Sequence, residues 1–188
     1  GVDLKDLTPI RPNLYLWQGD ITRLAADAIV NAANSKLLGC FVPNHSCIDN
    51  AIHTAAGVEL RLACQELMQE QGEDETTGQA KMTKAYNLPS RYVLHTVGPI
   101  IYDEVTDLER QQLASSYEEC LNLAYEKGLR SLAFCCISTG EFRFPNEEAA
   151  KIAIETVLQF QKEHSDMVVI FNVFKDLDYA IYQSLLKN

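Results

Sequence analysis

Apolar runs and segments of helical period take turns along the chain. The apolar runs predict strands at residues 14–18, 28–31, 79–86, 92–97, 131–137 and 167–174. The helical period predicts helices at residues 48–56, 58–71, 108–127, 146–163 and 177–186. Runs 131–137 and 167–174 hardly alternate, which is typical of strands covered on both faces. This alternation of strands and helices predicts a three-layer α/β domain.

The polar and glycine-rich segments follow the carboxyl ends of the predicted strands. They are residues 19–20, 31–47, 98–99, 138–140 and 174–176. Ligands of open α/β sheets bind at that edge. Ser138, Thr139 and Gly140 have the small side chains and free amides that suit a phosphate, although any tight strand-to-helix turn uses similar residues.

Composition limits the classes of function. We expect the 188 residues to form one domain over 1–188, in which 1–13 are a lead-in truncated upstream because the chain lacks an initial methionine. A net charge of −10 argues against non-specific nucleic-acid binding and against an acidic membrane surface. No apolar run approaches the roughly 18 residues of a membrane span. Without a signal peptide or disulfide spacing, a reducing cytoplasm is expected.

Three potential metal ligands lie close together in the motif Cys40-x4-His45-x-Cys47. Two thiolates and an imidazole select zinc over magnesium or calcium. Three protein ligands leave a fourth position open, which is typical of a catalytic zinc site. The alternative is a buried thiol pair with an exposed histidine. The sequence leaves open whether one Zn²⁺ would activate water or hold a ligand hydroxyl.

Other side chains with chemical potential have simple structural alternatives. Asp49 begins a predicted helix, where the dipole favours its charged form, so it is a candidate base or a cap. Asn34 suits ribose hydroxyls or a local turn. The remaining cysteines are predicted to be buried, inert thiols: Cys64, Cys120, Cys135 and Cys136. Of the remaining histidines, His53 and His95 are predicted to make hydrogen bonds in the core, and His164 to lie at the surface.

A series of motifs resembles the macrodomain family over about residues 14–186. The motifs are Gly19-Asp20-Ile21-Thr22, Asp27-Ala28-Ile29-Val30-Asn31-Ala32-Ala33-Asn34, Ile48-Asp49-Asn50-Ala51-Ile52-His53, Val93-Leu94-His95-Thr96-Val97-Gly98-Pro99 and Ile137-Ser138-Thr139-Gly140-x-Phe142-x-Phe144-Pro145. The nearest likeness is to MacroD-type ADP-ribosyl hydrolases. Their glycine run is replaced by residues 39–47, which resembles a zinc-containing microbial branch. The resemblance implies an α/β/α macrodomain with a mixed central sheet flanked by helices.

The resemblance also implies roles for individual residues. Asp20 and the Ile21 backbone would bind adenine, and Phe174 would stack beside it. The diphosphate and distal ribose would lie on a loop of five residues: Ser138, Thr139, Gly140, Glu141 and Phe142. Asn34 would orient the proximal ribose and Asp49 would serve hydrolysis. Asn50 and Arg143 stand where relatives have glycine.

Together these observations predict a zinc-dependent hydrolase that removes mono-ADP-ribose from proteins, most simply at acidic side chains. The resemblance implies an ADP-ribosylated protein substrate, with a lipoyl-carrier protein as a candidate, and a sirtuin-like ADP-ribosyl transferase as functional partner. Two alternatives remain. One is a non-catalytic ADP-ribose reader, and the other is an O-acetyl-ADP-ribose deacetylase.

Overall fold

The computed structural model describes residues 1–37 and 47–187. Within them the strands are β1 (Val2–Asp3), β2 (Pro9–Arg11), β3 (Leu14–Gln18), β4 (Leu24–Ala25), β5 (Ala28–Ala32), β6 (Ala80–Lys84), β7 (Tyr92–Thr96), β8 (Ser131–Phe134) and β9 (Val168–Val173). The helices are α1 (Ile48–Ala56), α2 (Val58–Gln71), α3 (Asp107–Glu126), α4 (Asn146–Glu163) and α5 (Asp176–Lys187). None of the helices in this part of the chain has the length and apolar character to cross a bilayer.

The main sheet of the described residues has seven strands in the order β2-β3-β9-β8-β5-β7-β6. Its five inner strands are mutually parallel, and the edge strands β2 and β6 are antiparallel to their neighbours. Helix α1 packs against α2, α3 against α4, and α4 against α5. The predicted α/β/α architecture with a mixed sheet is confirmed. Because the inner strands are parallel, the loops after their carboxyl ends share one edge.

The central strands owe their position to apolar side chains on both faces. All four residues of β8 are buried, as are five of the six in β9 and four of the five in β5.

Glycines set the boundary between α1 and α2 and the end of α2. Gly57, with φ 96°, separates α1 from α2, and Gly72 ends α2 in the left-handed conformation.

Several predicted bounds change for identifiable reasons. Strand β6 is shorter than predicted because Ala85 N bonds to Arg91 O in a turn and Tyr86 has φ 52°. Strand β8 stops at Phe134, and Ile137 N donates to Tyr117 Oη instead of to a neighbouring strand. The short strands β1, β2 and β4 were not predicted, because two or three residues carry too little periodicity.

Candidate active site

The loops at the carboxyl edge of the sheet are tied to one another by backbone hydrogen bonds. Gly19 N donates to Val173 O at 2.9 Å, which joins the loop after β3 to the loop after β9. Ala33 N donates to Thr96 O at 2.8 Å, which joins the loops after β5 and β7. These two bonds therefore bring loops that are distant in sequence next to each other at this edge.

Asp20 and Ile21 begin a single 3₁₀ turn beside β3. Asp20 is exposed, and its Oδ1 accepts from Thr22 N at 3.0 Å and from Thr22 Oγ1 at 2.6 Å. The Ile21 side chain is 1% exposed, so it belongs to the core. Asp20 thus caps the turn, and any ligand contact of Ile21 would have to come from its backbone.

Phe174 directly follows β9 and exposes 74% of its surface. Gln18 Nε2 donates to Phe174 O at 3.2 Å and to Asp176 Oδ1 at 2.8 Å, which ties this turn to β3. A large aromatic side chain held in an exposed position at a ligand edge suits stacking on a flat ring.

Residues 138–143 form a compact loop after β8. Ser138 and Arg143 both have left-handed backbones, with φ of 69° and 66°. Phe144 N donates to Ser138 O at 2.8 Å, and Arg143 N donates to Gly140 O at 3.1 Å. A Cβ added to Gly140 would meet nothing within 4 Å, so this backbone faces open space. The left-handed conformation at Arg143 is one that glycine adopts more readily than other residues.

The side chains of this loop differ in burial. Glu141 is exposed and Phe142 is partly buried against the core. Thr139 Oγ1 donates to Cys136 O at 3.2 Å, which holds the base of the loop. Ser138 Oγ is buried and has no hydrogen-bond partner among the described residues. The predicted loop is therefore present as a hydrogen-bonded turn. Its contacts with a diphosphate stay a prediction.

Asn34 makes a local turn, which was the structural alternative to a role in binding ribose. Its Oδ1 accepts from Lys36 N at 3.0 Å, and its backbone O accepts from Leu37 N at 3.0 Å. The segment after α2 supports this turn, because Glu75 N donates to Ser35 O at 2.8 Å. Asn34 is half-buried and follows the carboxyl end of β5. Its role in orienting ribose stays a prediction.

Asp49 lies in the first turn of α1 and is only 5% exposed. The cap of this helix is Cys47, whose Sγ accepts from Asn50 N at 3.3 Å. Asp49 Oδ1 instead accepts from Asn31 Nδ2 at 2.8 Å. Asp49 therefore does not cap the helix, which was its structural alternative.

Burial raises the pKa of Asp49, although the Asn31 hydrogen bond and the Arg61 charge oppose this. Removal of the carboxyl from water is the largest effect on this pKa and acts against the charged form that the helix dipole was expected to favour. A carboxylate of raised pKa is a better proton acceptor than an exposed one.

His53 lies one helical turn after Asp49, with Nε2 3.4 Å from Asp49 Oδ1. Both of its ring nitrogens are buried without a hydrogen-bond partner in the described chain. Burial, with the Arg61 charge, lowers its pKa to about 4, so the ring is neutral near pH 7. The prediction of core hydrogen bonds is wrong for His53 and correct for His95, which contacts Thr83 Oγ1 at 2.9 Å.

Of the predicted zinc ligands, Cys40 and His45 lie outside the described residues. Cys47 is half-buried and already accepts a backbone N–H, as a thiolate ligand would. The described residues contain a second set that could hold a metal ion. The ligand atoms of His53, Cys64 and His95 lie within 4.8 Å of one another.

The predictions for the other thiols and for His164 have mixed outcomes. Cys64, Cys120 and Cys135 are buried as predicted, and burial raises the pKa of Cys64 to about 12. Cys136 is half-buried. His164 was predicted at the surface but is half-buried, stacked on Phe160 at a centroid distance of 4.3 Å.

Asn31 is the site residue that sequence reasoning missed. It is fully buried near the end of β5 and touches both Asp49 and His95. A signal was available, because an asparagine inside an apolar strand needs buried hydrogen-bond partners.

Comparison with known proteins identifies the fold family. The family model for the Macro domain matches residues 30–153. The chain belongs to the macrodomain family. Among solved structures, it is similar to the Oceanobacillus iheyensis macrodomain with ADP (TM-score 0.86, 42% identity, 96% of this chain and 94% of that one). It is also similar to the Trypanosoma brucei macrodomain in complex with ADP-ribose (TM-score 0.86, 36% identity, 98% and 76%).

Curated relatives of this macrodomain are hydrolases by name. A protein-ADP-ribose hydrolase of Treponema medium is 56% identical over 97% of this chain and 72% of its own length. One from Staphylococcus aureus is 54% identical over 96% of this chain and 69% of its own. The ADP-ribose glycohydrolase MACROD2 of Xenopus laevis is 48% identical over 90% of this chain and 39% of its own. The relatives of this chain therefore include MacroD-type ADP-ribose hydrolases.

Proposed function

We propose that this macrodomain is a zinc-dependent hydrolase that removes mono-ADP-ribose from modified proteins at acidic side chains. Identities of 54–56% to proteins named protein-ADP-ribose hydrolase support the hydrolase activity. The observation that carries the catalytic proposal is the buried carboxyl of Asp49, whose pKa is raised and which Asn31 holds at 2.8 Å. We further propose that residues 1–188 act as one domain.

The distal part of the substrate supplies binding energy in this proposal. The exposed Phe174 ring stacks on adenine, and Asp20 accepts from its amino group. The loop of Ser138–Phe142 binds the diphosphate and distal ribose through backbone amides, for which the open face at Gly140 provides room. Binding energy from these remote contacts positions the reacting end.

At the proximal ribose, Asn34 orients the sugar hydroxyls and Asp49 takes a proton from the attacking water. The bond between water oxygen and the anomeric carbon forms as the bond to the target carboxylate breaks, and that carboxylate leaves as an anion. His53 is neutral near pH 7 and its Nε2 is 3.4 Å from Asp49 Oδ1, so it adds no positive charge that would lower the pKa of that carboxyl and make it a weaker base.

The donor chemistry of Cys40, His45 and Cys47 fits one zinc ion, and the half-buried Cys47 sulfur already behaves as an acceptor. Bound zinc would supply a positive charge that lowers the pKa of water or orients a ribose hydroxyl. Asn34 and Asp49 lie on the two flanks of that segment. We therefore assign the metal to this motif and not to the set of His53, Cys64 and His95.

A hydrolysis assay tests the function. Metal-loaded protein should release free ADP-ribose from a protein modified on acidic side chains, and Asp49→Asn should bind ADP-ribose but lose turnover. An ADP-ribosylated lipoyl-carrier protein, modified by a sirtuin-like transferase, and O-acetyl-ADP-ribose are compared as substrates. Binding without release would indicate a reader, and faster cleavage of the acetyl ester would indicate a deacetylase.

Zinc content distinguishes the two metal sets. Cys40→Ser should lose zinc and turnover, whereas Cys64→Ser should keep one zinc ion per chain. The metal assignment is wrong if Cys64→Ser removes the zinc and Cys40→Ser retains it. If a chelator removes all zinc and leaves turnover intact, the metal is not required for hydrolysis.

A further inference from the structure

A chain of buried polar groups is linked to Asp49 by hydrogen-bond contacts. Thr83 Oγ1 is 2.9 Å from His95 Nε2, and His95 Nδ1 is 3.2 Å from Asn31 Nδ2. The same Asn31 nitrogen is 2.8 Å from Asp49 Oδ1. None of these four side chains is more than 7% exposed, so water cannot replace the contacts.

The chemistry of these atoms determines which way the Asn31 amide faces. The nitrogen of the Asn31 amide, and not its oxygen, faces both Asp49 Oδ1 and His95 Nδ1, and a carboxylate oxygen can accept from it. Its second N–H points at His95 Nδ1, which must therefore carry a lone pair. A flipped amide would turn an oxygen towards the Asp49 carboxylate, and two acceptors repel each other.

The tautomer of His95 follows from this orientation. Burial lowers the pKa of His95 to about 3, so the ring is neutral and has one N–H and one acceptor nitrogen. With Nδ1 accepting from Asn31, the proton is on Nε2, where Thr83 Oγ1 at 2.9 Å and Cys64 Sγ at 3.7 Å are the neighbours. A protonated Nε2 has no lone pair to give a metal ion.

We propose that His95 is a positioning residue for hydrolysis, whose Nδ1 lone pair holds the Asn31 amide in the orientation that aims an N–H at Asp49. Thr83 holds the far side of the ring. The inference rests on the proposed function, because it assigns His95 a role in aligning the base of that reaction. His95 is fully buried and acts only through Asn31.

Loss of the acceptor at position 95 should act on turnover and spare ligand affinity. Without it, the second N–H of Asn31 is unsatisfied and the amide is free to turn, which displaces the Asp49 carboxylate. His95→Leu should lower kcat about tenfold, as expected for the loss of one positioning hydrogen bond. KM and the Kd for ADP-ribose should stay within about twofold, because His95 is fully buried and is not among the residues that we assign to ligand binding.

A conservative variant separates positioning from packing. Asparagine at position 95 can present its side-chain oxygen where Nδ1 stood, so His95→Asn should retain most of the turnover that His95→Leu loses. Both variants leave a smaller or differently shaped core side chain, and their melting temperatures should fall together. Thr83→Val keeps its volume and should reduce kcat less than His95→Leu, since Cys64 Sγ still lies beside Nε2.

Nitrogen NMR tests the tautomer directly. The chain has four histidines, so ¹⁵N-histidine labelling gives few signals, and His95→Asn assigns the one of interest. We expect an unprotonated Nδ1 and a protonated Nε2 at pH 7 in the wild-type protein. A protonated Nδ1 overturns the proposal, whatever the turnover.

The kinetic outcomes also distinguish the positioning role of His95 from the proposed hydrolase activity. Equal kcat for His95→Leu and wild type, or equal losses in His95→Leu and His95→Asn, would overturn the positioning role while leaving the hydrolase intact. If the wild-type protein releases no ADP-ribose, both the function and the positioning role are wrong, although the tautomer result would still hold.

Discussion

Gly98, two residues after β7, allows close contact with Ile137 and Ser138 because it has no Cβ, and its replacement by alanine is the sharpest test of the loop of Ser138–Phe142. A Cβ at position 98 would lie 2.1 Å from Ser138 Oγ and 2.7 Å from Ile137 Cγ2. Both distances are below those that real Cβ atoms adopt. Ser138 is 5% exposed, so its hydroxyl has little space into which to rotate. Gly98→Ala should therefore push the loop away from β7.

The expected cost follows from overpacking in a dense region. Inserting one methyl group into a well-packed site costs about 1–3 kcal/mol. In a chain of this size, each kcal/mol lowers the melting temperature by about 2–4 °C. Displacement of the loop should also weaken ADP-ribose binding by roughly tenfold, because the amides that we assign to the diphosphate would move off their positions.

Thermal melts and calorimetric titration with ADP-ribose measure both effects. Ser138→Gly removes the nearest atom, so the double variant Gly98→Ala/Ser138→Gly should regain part of the stability and affinity relative to Gly98→Ala. Gly140→Ala is the control for stability, since its Cβ would meet nothing within 4 Å. Unchanged melting temperature and affinity in Gly98→Ala would refute the claimed contact between Gly98 and the loop.

Three further predictions concern other parts of the site. Because the folded-state pKa values of His53 and His95 are lowered to about 4 and about 3, the unfolded chain binds more protons below about pH 6.5. The free energy of unfolding should therefore fall as pH drops from 6.5 towards 4, by at most about 2.7 kcal/mol per pH unit for the two histidines. Asp49 opposes this fall, because its raised pKa makes the folded state bind a proton more readily. Denaturant melts across this pH window measure the net change. Phe174→Ala should weaken ADP-ribose binding by about 1–3 kcal/mol in calorimetry with melting temperature unchanged, because the ring is 74% exposed. Tyr117→Phe should destabilise the fold by about 1–3 kcal/mol in urea melts, because its buried hydroxyl accepts from Ile137 N and donates to Cys135 O, just before the loop of Ser138–Phe142; a loss under about 0.5 kcal/mol would contradict this.

Local signals were sufficient for most of the secondary structure. Helices α1 and α2 begin and end where glycines and the helical period predicted, because Gly57 and Gly72 adopt backbones that favour glycine. Strands β8 and β9 were recognisable by apolar runs without alternation, which is what burial on both faces requires. The edge strand β6 was overestimated, since its end depends on a turn bond between Ala85 and Arg91.

The candidate site was predicted in part. The loops that follow parallel strands were correctly expected to meet, because parallel strands share one carboxyl edge. The raised pKa of Asp49 was not predictable from its place at a helix start, since its largest cause is burial by the surrounding chain. The hydrogen bond from Asn31 to Asp49 joins residues 18 positions apart, and no local pattern shows that their side chains face each other.

The sequence by itself determined the α/β class, the macrodomain resemblance and the segments that bear ligand chemistry, because these depend on periodicity and on motifs within a few residues. Only the tertiary structure decided which polar groups are buried together. It set His95 between Thr83 and Asn31, left the ring nitrogens of His53 without a hydrogen-bond partner among the described residues, and raised the pKa of Asp49. The physical reason is desolvation, which depends on all the chain segments around a group and not on its neighbours in sequence.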